Sequence, residues 1–149
     1  MKKLLVIFLL LASLVGCGTK TKTTNCVMTD DYGVVTYSFV AKGNDIVKEI
    51  FEDKYNRNYY ADDVTNEDII NNLAGNKAKY DSIDGATYEY TFNEESGDIV
   101  TTRTLDFTKT TVEELKAAGG LGSGANSNYT NLEIAVKEVE EMGYVCDAK

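Results

Sequence analysis

The sequence predicts an α+β protein: an antiparallel β-sheet built from hairpins, with about three helices packed on one face. Two observations favour this class. Segments in which side chains alternate with a period of two outnumber segments with helical spacing. Most of the alternating segments follow one another across short polar turns, as antiparallel strands do. Helices grouped on one face of such a sheet are a common way to bury its apolar side.

The early strands form the first predicted hairpin. Apolar side chains alternate along residues 34–41, which predicts a strand. Residues 42–45 (Lys-Gly-Asn-Asp) predict a turn, because Gly and Asn accept the backbone angles that turns require. Residues 46–51 alternate again and predict the return strand. Residues 25–29 predict a further strand ahead of this hairpin.

A helix and a second hairpin follow. Thr65 can cap a helix, and Glu67 and Asp68 favour the positive end of its dipole. The apolar stripe of this helix contains Ile69, Ile70 and Leu73, and extends toward Lys77 and Tyr80. Residues 86–92 and 99–107 alternate on either side of a polar loop, which predicts two paired strands.

Two shorter helices are predicted near the end of the chain. The first begins at Thr110 or Thr111, where Glu113 and Glu114 have capping-box spacing, and it ends at Gly119. Leu121 can then pack back on the helix in a Schellman arrangement.

The last helix is predicted to begin after Thr130, which forms a capping box with Glu133. Gly143 ends it, and residues 144–146 predict a closing strand or tail. The apolar residues at helical spacing are Leu132, Ala135, Val136, Val139 and Met142.

The first 16 residues have the pattern of a signal peptide. Two lysines precede an apolar run over residues 4–15, which is too short for a bilayer core that needs about 20 residues. Residues 14–17 (Leu-Val-Gly-Cys) resemble the lipobox of bacterial lipoproteins, which implies diacylglycerol on Cys17 and cleavage before it. An ordinary signal peptide with a chance cysteine is the alternative. We expect a flexible, lipid-bearing tether over 17–24 and one domain over 25–149.

This organisation predicts an exported, membrane-anchored protein. Lipid on Cys17 would hold it at the outer face of the bacterial cytoplasmic membrane, or at the outer membrane if the cell has one. Two or three long acyl chains suffice for stable anchoring, because each buried methylene contributes about 0.8 kcal/mol.

Composition excludes several chemistries. Loss of Lys2 and Lys3 leaves 13 basic against 24 acidic side chains, a net charge of −11, which disfavours a nucleic-acid partner. The chain has no His, which removes imidazole catalysis and His-ligated metal sites. No cofactor is expected.

Two cysteines remain besides Cys17. Cys26 and Cys146 lie at opposite ends of the predicted domain, and an even pair in an exported chain favours a disulfide. A redox-active pair and two free thiols in a reducing compartment are the alternatives.

Several segments together resemble the YehR-like lipoproteins, small bacterial envelope proteins without an assigned activity. The resemblance rests on the lipobox, on residues 37–44 (Tyr-Ser-Phe-Val-Ala-Lys-Gly-Asn), and on residues 80–90 around Tyr88-Glu89-Tyr90. It continues through residues 105–109 (Leu-Asp-Phe-Thr-Lys) and the last helix. The resemblance implies an α+β lipoprotein domain and no active-site residues.

Two groups of residues are candidate binding sites. Tyr55, Tyr59 and Tyr60 could stack on a sugar ring or a peptide, although tyrosines also cover sheet faces without any ligand. The carboxylates of Asp62, Asp63, Glu67 and Asp68 could bind a hard cation such as Ca²⁺, but lack the spacing of an EF-hand loop. The alternative for these acids is charge matching at a helix N-terminus.

The function that these features favour is a non-catalytic binding or accessory role in the envelope, with a protein, glycan or small-ligand partner. The first alternative is a small envelope enzyme that uses paired carboxylates, as in glycan hydrolysis. The second is a thiol-redox protein that uses Cys26 and Cys146.

Overall fold

The computed structural model describes residues 20–122 and 125–147. Within them the chain forms one six-stranded antiparallel sheet, in the order β4-β5-β3-β2-β1-β6, and three α-helices. The strands are β1 (Thr21–Thr29), β2 (Gly33–Lys42), β3 (Asp45–Asn56), β4 (Ala86–Phe92), β5 (Asp98–Asp106) and β6 (Val145–Cys146). The helices are α1 (Asn66–Asp81), α2 (Val112–Ala117) and α3 (Leu132–Glu141). The predicted α+β class is confirmed.

One face of the sheet carries the core. A row of cross-strand neighbours runs over this face through β1, β2, β3, β5 and β4. Its members, in that order, are Cys26, Tyr37, Phe51, Arg103 and Tyr88. Buried residues of all three helices pack in clusters with side chains of this face. The helices therefore lie on one face, as the sequence predicts.

The first two helices begin with the predicted capping signals. Thr65 accepts a hydrogen bond from the N–H of Asp68, whose carboxylate accepts from the N–H of Thr65. Thr111 and Glu114 form the same reciprocal pair at α2. The sequence predicted the Thr65 cap and the α2 box because both signals are local; the reciprocal bond from Thr65 to Asp68 is a finding of the structure.

The end of α2 is the predicted Schellman arrangement. Gly119 adopts a φ of 73°, and the N–H of Gly120 donates to the carbonyl of Leu115 at 2.7 Å. Leu121 packs against the cluster that contains Leu115. The backbone turns out of the helix while its last carbonyls stay hydrogen-bonded.

The start of α3 differs from the prediction. Asn131, not Thr130, is the N-cap, and its side chain accepts a hydrogen bond from the N–H of Ile134. Thr130 instead ends a short 3₁₀ turn, Ser127–Thr130. This preceding turn shifts the cap by one residue. Met142, predicted on the buried stripe, follows the helix and is 59% exposed.

The domain begins earlier than expected. The prediction of a flexible tether is wrong for residues 21–24. β1 already begins at Thr21, which lies opposite Lys42 of β2 in the sheet. Threonine favours strands, and Thr24 is buried on the core face. Without these residues, the backbone groups at the end of β2 would lose their ladder partners.

The last strand joins the two ends of the domain. β6 pairs with β1, and Cys26 lies opposite Cys146. Their sulfur atoms are 2.04 Å apart, the separation of a disulfide bond. The N–H of Asp147 continues the pairing by donating to the carbonyl of Asn25.

The predicted signal peptide, residues 1–16, and Cys17 lie outside the described residues. Among the helices that are described, none is both long and apolar enough to span a membrane.

Candidate functional site

The three tyrosines singled out by the sequence come together at one end of the sheet. Tyr55 lies near the end of β3, and its ring centroid is 5.3 Å from that of Tyr59 and 6.1 Å from that of Tyr60. Tyr59 and Tyr60 are 5.6 Å apart and perpendicular. Tyr32, from the turn between β1 and β2, adds a fourth ring 5.8 Å from Tyr59. We call these four residues the tyrosine surface.

The tyrosine surface has a buried base and an exposed rim. The hydroxyl groups of Tyr55 and Tyr60 lie 3.1 Å apart, and burial followed by this hydrogen bond raises the pKa of Tyr55. Tyr32 and Tyr59 are 53% and 62% exposed. Two neighbouring aromatic rings thus remain in solvent while a packed pair supports them.

Local hydrogen bonds fix the two loops that carry the surface. The Asp30 carboxylate accepts from the N–H groups of Tyr32 and Gly33 at 2.8 and 2.9 Å. A side chain at Gly33 would overlap the carbonyl oxygen of Lys54, so this tight turn needs glycine. The guanidinium of Arg57 donates to the carbonyl of Val64 and closes the second loop.

Asp53 lies beside this surface on the core face of β3. Burial raises its pKa, and the nearby Asp30 adds to the effect. The Asp53 charge in turn contributes to the raised pKa values of Tyr55 and Tyr144. Within the described residues, nothing donates a hydrogen bond to its carboxylate or pairs with it as an ion. Sequence reasoning missed Asp53, although strand alternation places it on the face of Phe51 and Tyr55.

The acidic residues after Tyr60 do not form a metal site. In residues 20–122 and 125–147, no group of three or more His, Cys, Asp or Glu side chains could hold a metal ion. The described residues therefore give no support to the cation interpretation of Asp62, Asp63 and Glu67. Glu67 lies in the first turn of α1, as charge matching predicts, and Asp62 and Asp63 are exposed in the loop before the helix.

A buried polar cluster lies at the centre of the core face. The Arg103 guanidinium donates to one Glu49 oxygen at 2.6 Å, and the Tyr129 hydroxyl donates to the other at 2.9 Å. Burial by itself would lower the pKa of Arg103, but the Glu49 carboxylate and the neighbouring tyrosines raise it. The cluster thus joins β3, β5 and the loop before α3.

Aromatic rings enclose this cluster. The Arg103 guanidinium lies 5.2 Å from the ring centroid of Phe51 and 5.9 Å from that of Tyr80. Its Nε is buried without a hydrogen-bond partner among the described residues. The alternation of β5 had placed Arg103 among apolar residues, and a buried arginine needs a carboxylate. That signal could have indicated the cluster, but not the identity of its partner.

Two cavities lie elsewhere. One, of about 90 Å³, lies beside the buried cluster and is lined by residues that include Tyr37, Glu49 and Glu138. Burial raises the pKa of Tyr37 to about 12. The other, an open cleft of about 440 Å³, is lined by aspartates and lysines, among them Asp84 and Lys109, at the opposite end of the sheet from the tyrosine surface. Neither cavity contains a residue of the tyrosine surface.

The fold places the chain among α+β proteins with a single antiparallel sheet whose helices lie on one face. Two solved structures share this fold. The NMR structure of E. coli YehR matches with a TM-score of 0.65 and 18% identity, over 87% of this chain and 92% of that chain. The NMR structure of a protein from Streptococcus pneumoniae TIGR4 matches with a TM-score of 0.60 and 13% identity, over 99% of this chain and 96% of that chain. At these identities the likeness shows the fold alone.

No family model and no curated protein matches the chain. The sequence motifs resemble the YehR-like proteins, and the fold of this chain is similar to that of YehR.

Proposed function

We propose that the chain is a bacterial envelope lipoprotein of the YehR-like group, anchored through lipid on Cys17, with a non-catalytic binding role. The observation that carries the proposal is the lipobox-like run at residues 14–17, placed directly ahead of a domain whose ends are bridged. A disulfide suits an oxidising compartment outside the cytoplasm. The fold likeness to YehR supports the grouping.

The early start of β1 shortens the connection between the anchor and the domain. Four residue steps separate Cys17 from Thr21, which allow a reach of at most about 14 Å. The sheet end near Thr21 also carries Lys42, its partner in β2, and the exposed Lys22. These lysines would face the anionic headgroups, so that the acidic remainder of the domain points away from the bilayer.

The disulfide supports a structural role over redox chemistry. Cys26 is fully buried in the core cluster that includes Phe39 and Val136, and the half-buried Cys146 packs against the same cluster. Redox-active sulfurs need access for an attacking thiolate. The bridge thus stabilises the domain and leaves the exposed tyrosine surface as the feature that supports binding.

Metabolic labelling with a tagged palmitate tests the anchor. We expect the wild-type chain to carry the label and to sediment with membranes, and the Cys17→Ser variant to lose both properties. The double variant Cys26→Ser/Cys146→Ser is the matched control, because it removes two other thiols and should keep the label. Label that persists in Cys17→Ser, or that is absent from the wild type, would contradict the proposal.

A further inference from the structure

We propose that the tyrosine surface docks a lysine- or arginine-rich polypeptide segment. This inference deepens the binding role proposed above by giving the chemistry of its partner. It does not depend on the anchor, since all the residues that carry it lie within the folded domain. Three observations support it: two exposed rings in edge-to-face contact, their acidic surroundings and their position.

The exposed rings provide the contact. Tyr32 and Tyr59 are each more than half exposed, whereas Tyr55 and Tyr60 pack against the hydrophobic core. Rigid tyrosines that expose apolar area are the typical central residues of protein interfaces. Their ring faces also attract ammonium and guanidinium groups.

The charges around the rings select a cationic partner. Asp31 directly precedes Tyr32, and both Asp62 and Asp63 follow Tyr60; all three are exposed. The positive charge in the same loop, Arg57, donates to the carbonyls of Ala61 and Val64 and forms no ion pair within the described residues. The carboxylates near the rings are therefore available to a basic segment.

The position leaves the surface accessible. The rings lie beyond Thr29, at the end of β1 that is farthest from Thr21 and the proposed anchor. A strand of nine residues is about 30 Å long. A partner in the periplasm or the wall could reach this end without contacting the membrane.

Peptide binding to the purified full chain in neutral detergent tests the proposal. The probes are fluorescent ten-residue peptides of alternating arginine and glycine, of alternating glutamate and glycine, and of serine and glycine, followed by anisotropy at fixed salt. We expect binding of the arginine peptide alone. Tyr59→Ser should weaken it about two- to fivefold, the loss that corresponds to one exposed cation–π contact.

Two matched controls separate the surface from net charge. Met142→Ser removes an apolar side chain that is as exposed as Tyr59 and should change binding less than Tyr59→Ser does. Asp62→Asn/Asp63→Asn should weaken binding more than Glu138→Gln/Glu140→Gln, although each pair removes two exposed charges. Near-ultraviolet circular dichroism verifies that each variant is folded.

Three outcomes would overturn the proposal. The first is absence of arginine-peptide binding by the folded wild type. The second is equal weakening by the surface and control variants, which indicates attraction by net charge only. The third is binding of a neutral oligosaccharide that requires Tyr59 but neither Asp62 nor Asp63, which indicates a glycan surface. Each can occur whether or not Cys17 carries lipid, so the anchor proposal stands or falls separately.

Discussion

The folded structure disfavours the charged form of the Asp53 side chain. Burial raises its pKa, so the folded chain binds this proton more tightly than the unfolded chain does. Stability from this group is therefore lost as the pH rises from the unfolded pKa through the folded pKa. We expect Asp53→Asn to increase the free energy of unfolding at pH 7 by less than about 1 kcal/mol, because solvent screens the half-buried side chain.

The gain from Asp53→Asn should shrink as the pH falls through the pKa of Asp53, where the wild-type carboxyl is neutral as well. Urea unfolding at pH 7 and pH 3.5 measures this difference. Asp31→Asn, at an exposed position two residues from Gly33, is the control and should have little effect. A loss of stability in Asp53→Asn at pH 7 would show that the carboxylate has a stabilising partner.

The Glu49 ion pair should respond strongly to the loss of one partner. Arg103→Leu leaves the Glu49 charge buried and unpaired, and we expect it to lower the free energy of unfolding by about 3 kcal/mol. Tyr129→Phe removes one hydrogen bond to the carboxylate and should lower it by about 1.5 kcal/mol.

Glu49→Leu/Arg103→Leu provides the control for this prediction. The double variant removes both charges and should be more stable than Arg103→Leu alone. Denaturant unfolding of the wild type, Arg103→Leu, Glu49→Leu and the double variant measures the coupling between the two side chains. Strictly additive losses would indicate that the two side chains do not interact as the structure shows.

For individual residues, the sequence indicates which side chains are candidates for a site better than it indicates which residues they contact. Tyr55, Tyr59 and Tyr60 are close together in the chain, and the structure brings them together. Tyr32 joins them from another turn, and Glu49 meets Arg103 from 54 positions away. Such contacts depend on which strands pair and in which register. The local sequence of one strand does not specify either.

The start of α3 provides a test at the scale of elements. Asn131→Ala should lower the free energy of unfolding by about 1 kcal/mol, because Asn131 accepts the hydrogen bond from Ile134. Thr130→Ala should cost clearly less, since Thr130 does not cap the helix. Thermal unfolding of the two variants measures both losses of stability. A larger loss for Thr130→Ala would indicate that Thr130 is the N-cap, as the sequence alone predicts.

Elements with signals inside one turn were predicted well. The Thr65 cap of α1, the capping box of α2 and the turn after α2 each depend on residues within about five positions of one another. The start of β1 was placed four residues too late. Residues 21–24 are polar and carry no local strand pattern, and they become a strand because β2 offers them a partner.

The bridge between β1 and β6 acts on the whole molecule. It closes a loop across 120 positions, and chain entropy predicts a contribution of about 4–5 kcal/mol. Cys26→Ser/Cys146→Ser should lose about this much in urea unfolding, with a correspondingly lower midpoint. Reduction of the wild type should have a similar effect. A variant as stable as the wild type would show that the bridge contributes little to the free energy of unfolding.

The net charge of −9, which cleavage before Cys17 would change to −11, and the short connection to Cys17 also belong to the whole molecule. Under the proposed anchoring, they would give a domain held closely to a membrane at one end and repelled from its anionic surface elsewhere. The tyrosine surface lies at the free end. This arrangement is the basis of the anchor proposal, and it requires that the chain be anchored at Cys17.

Intact mass of the chain purified from membranes tests this requirement most directly. We expect a polypeptide that begins at Cys17, carries diacylglycerol, and gains the mass of two hydrogen atoms on reduction. A mature chain that begins at any other residue, or that begins at Cys17 without acyl groups, would show that the chain is not anchored in this way.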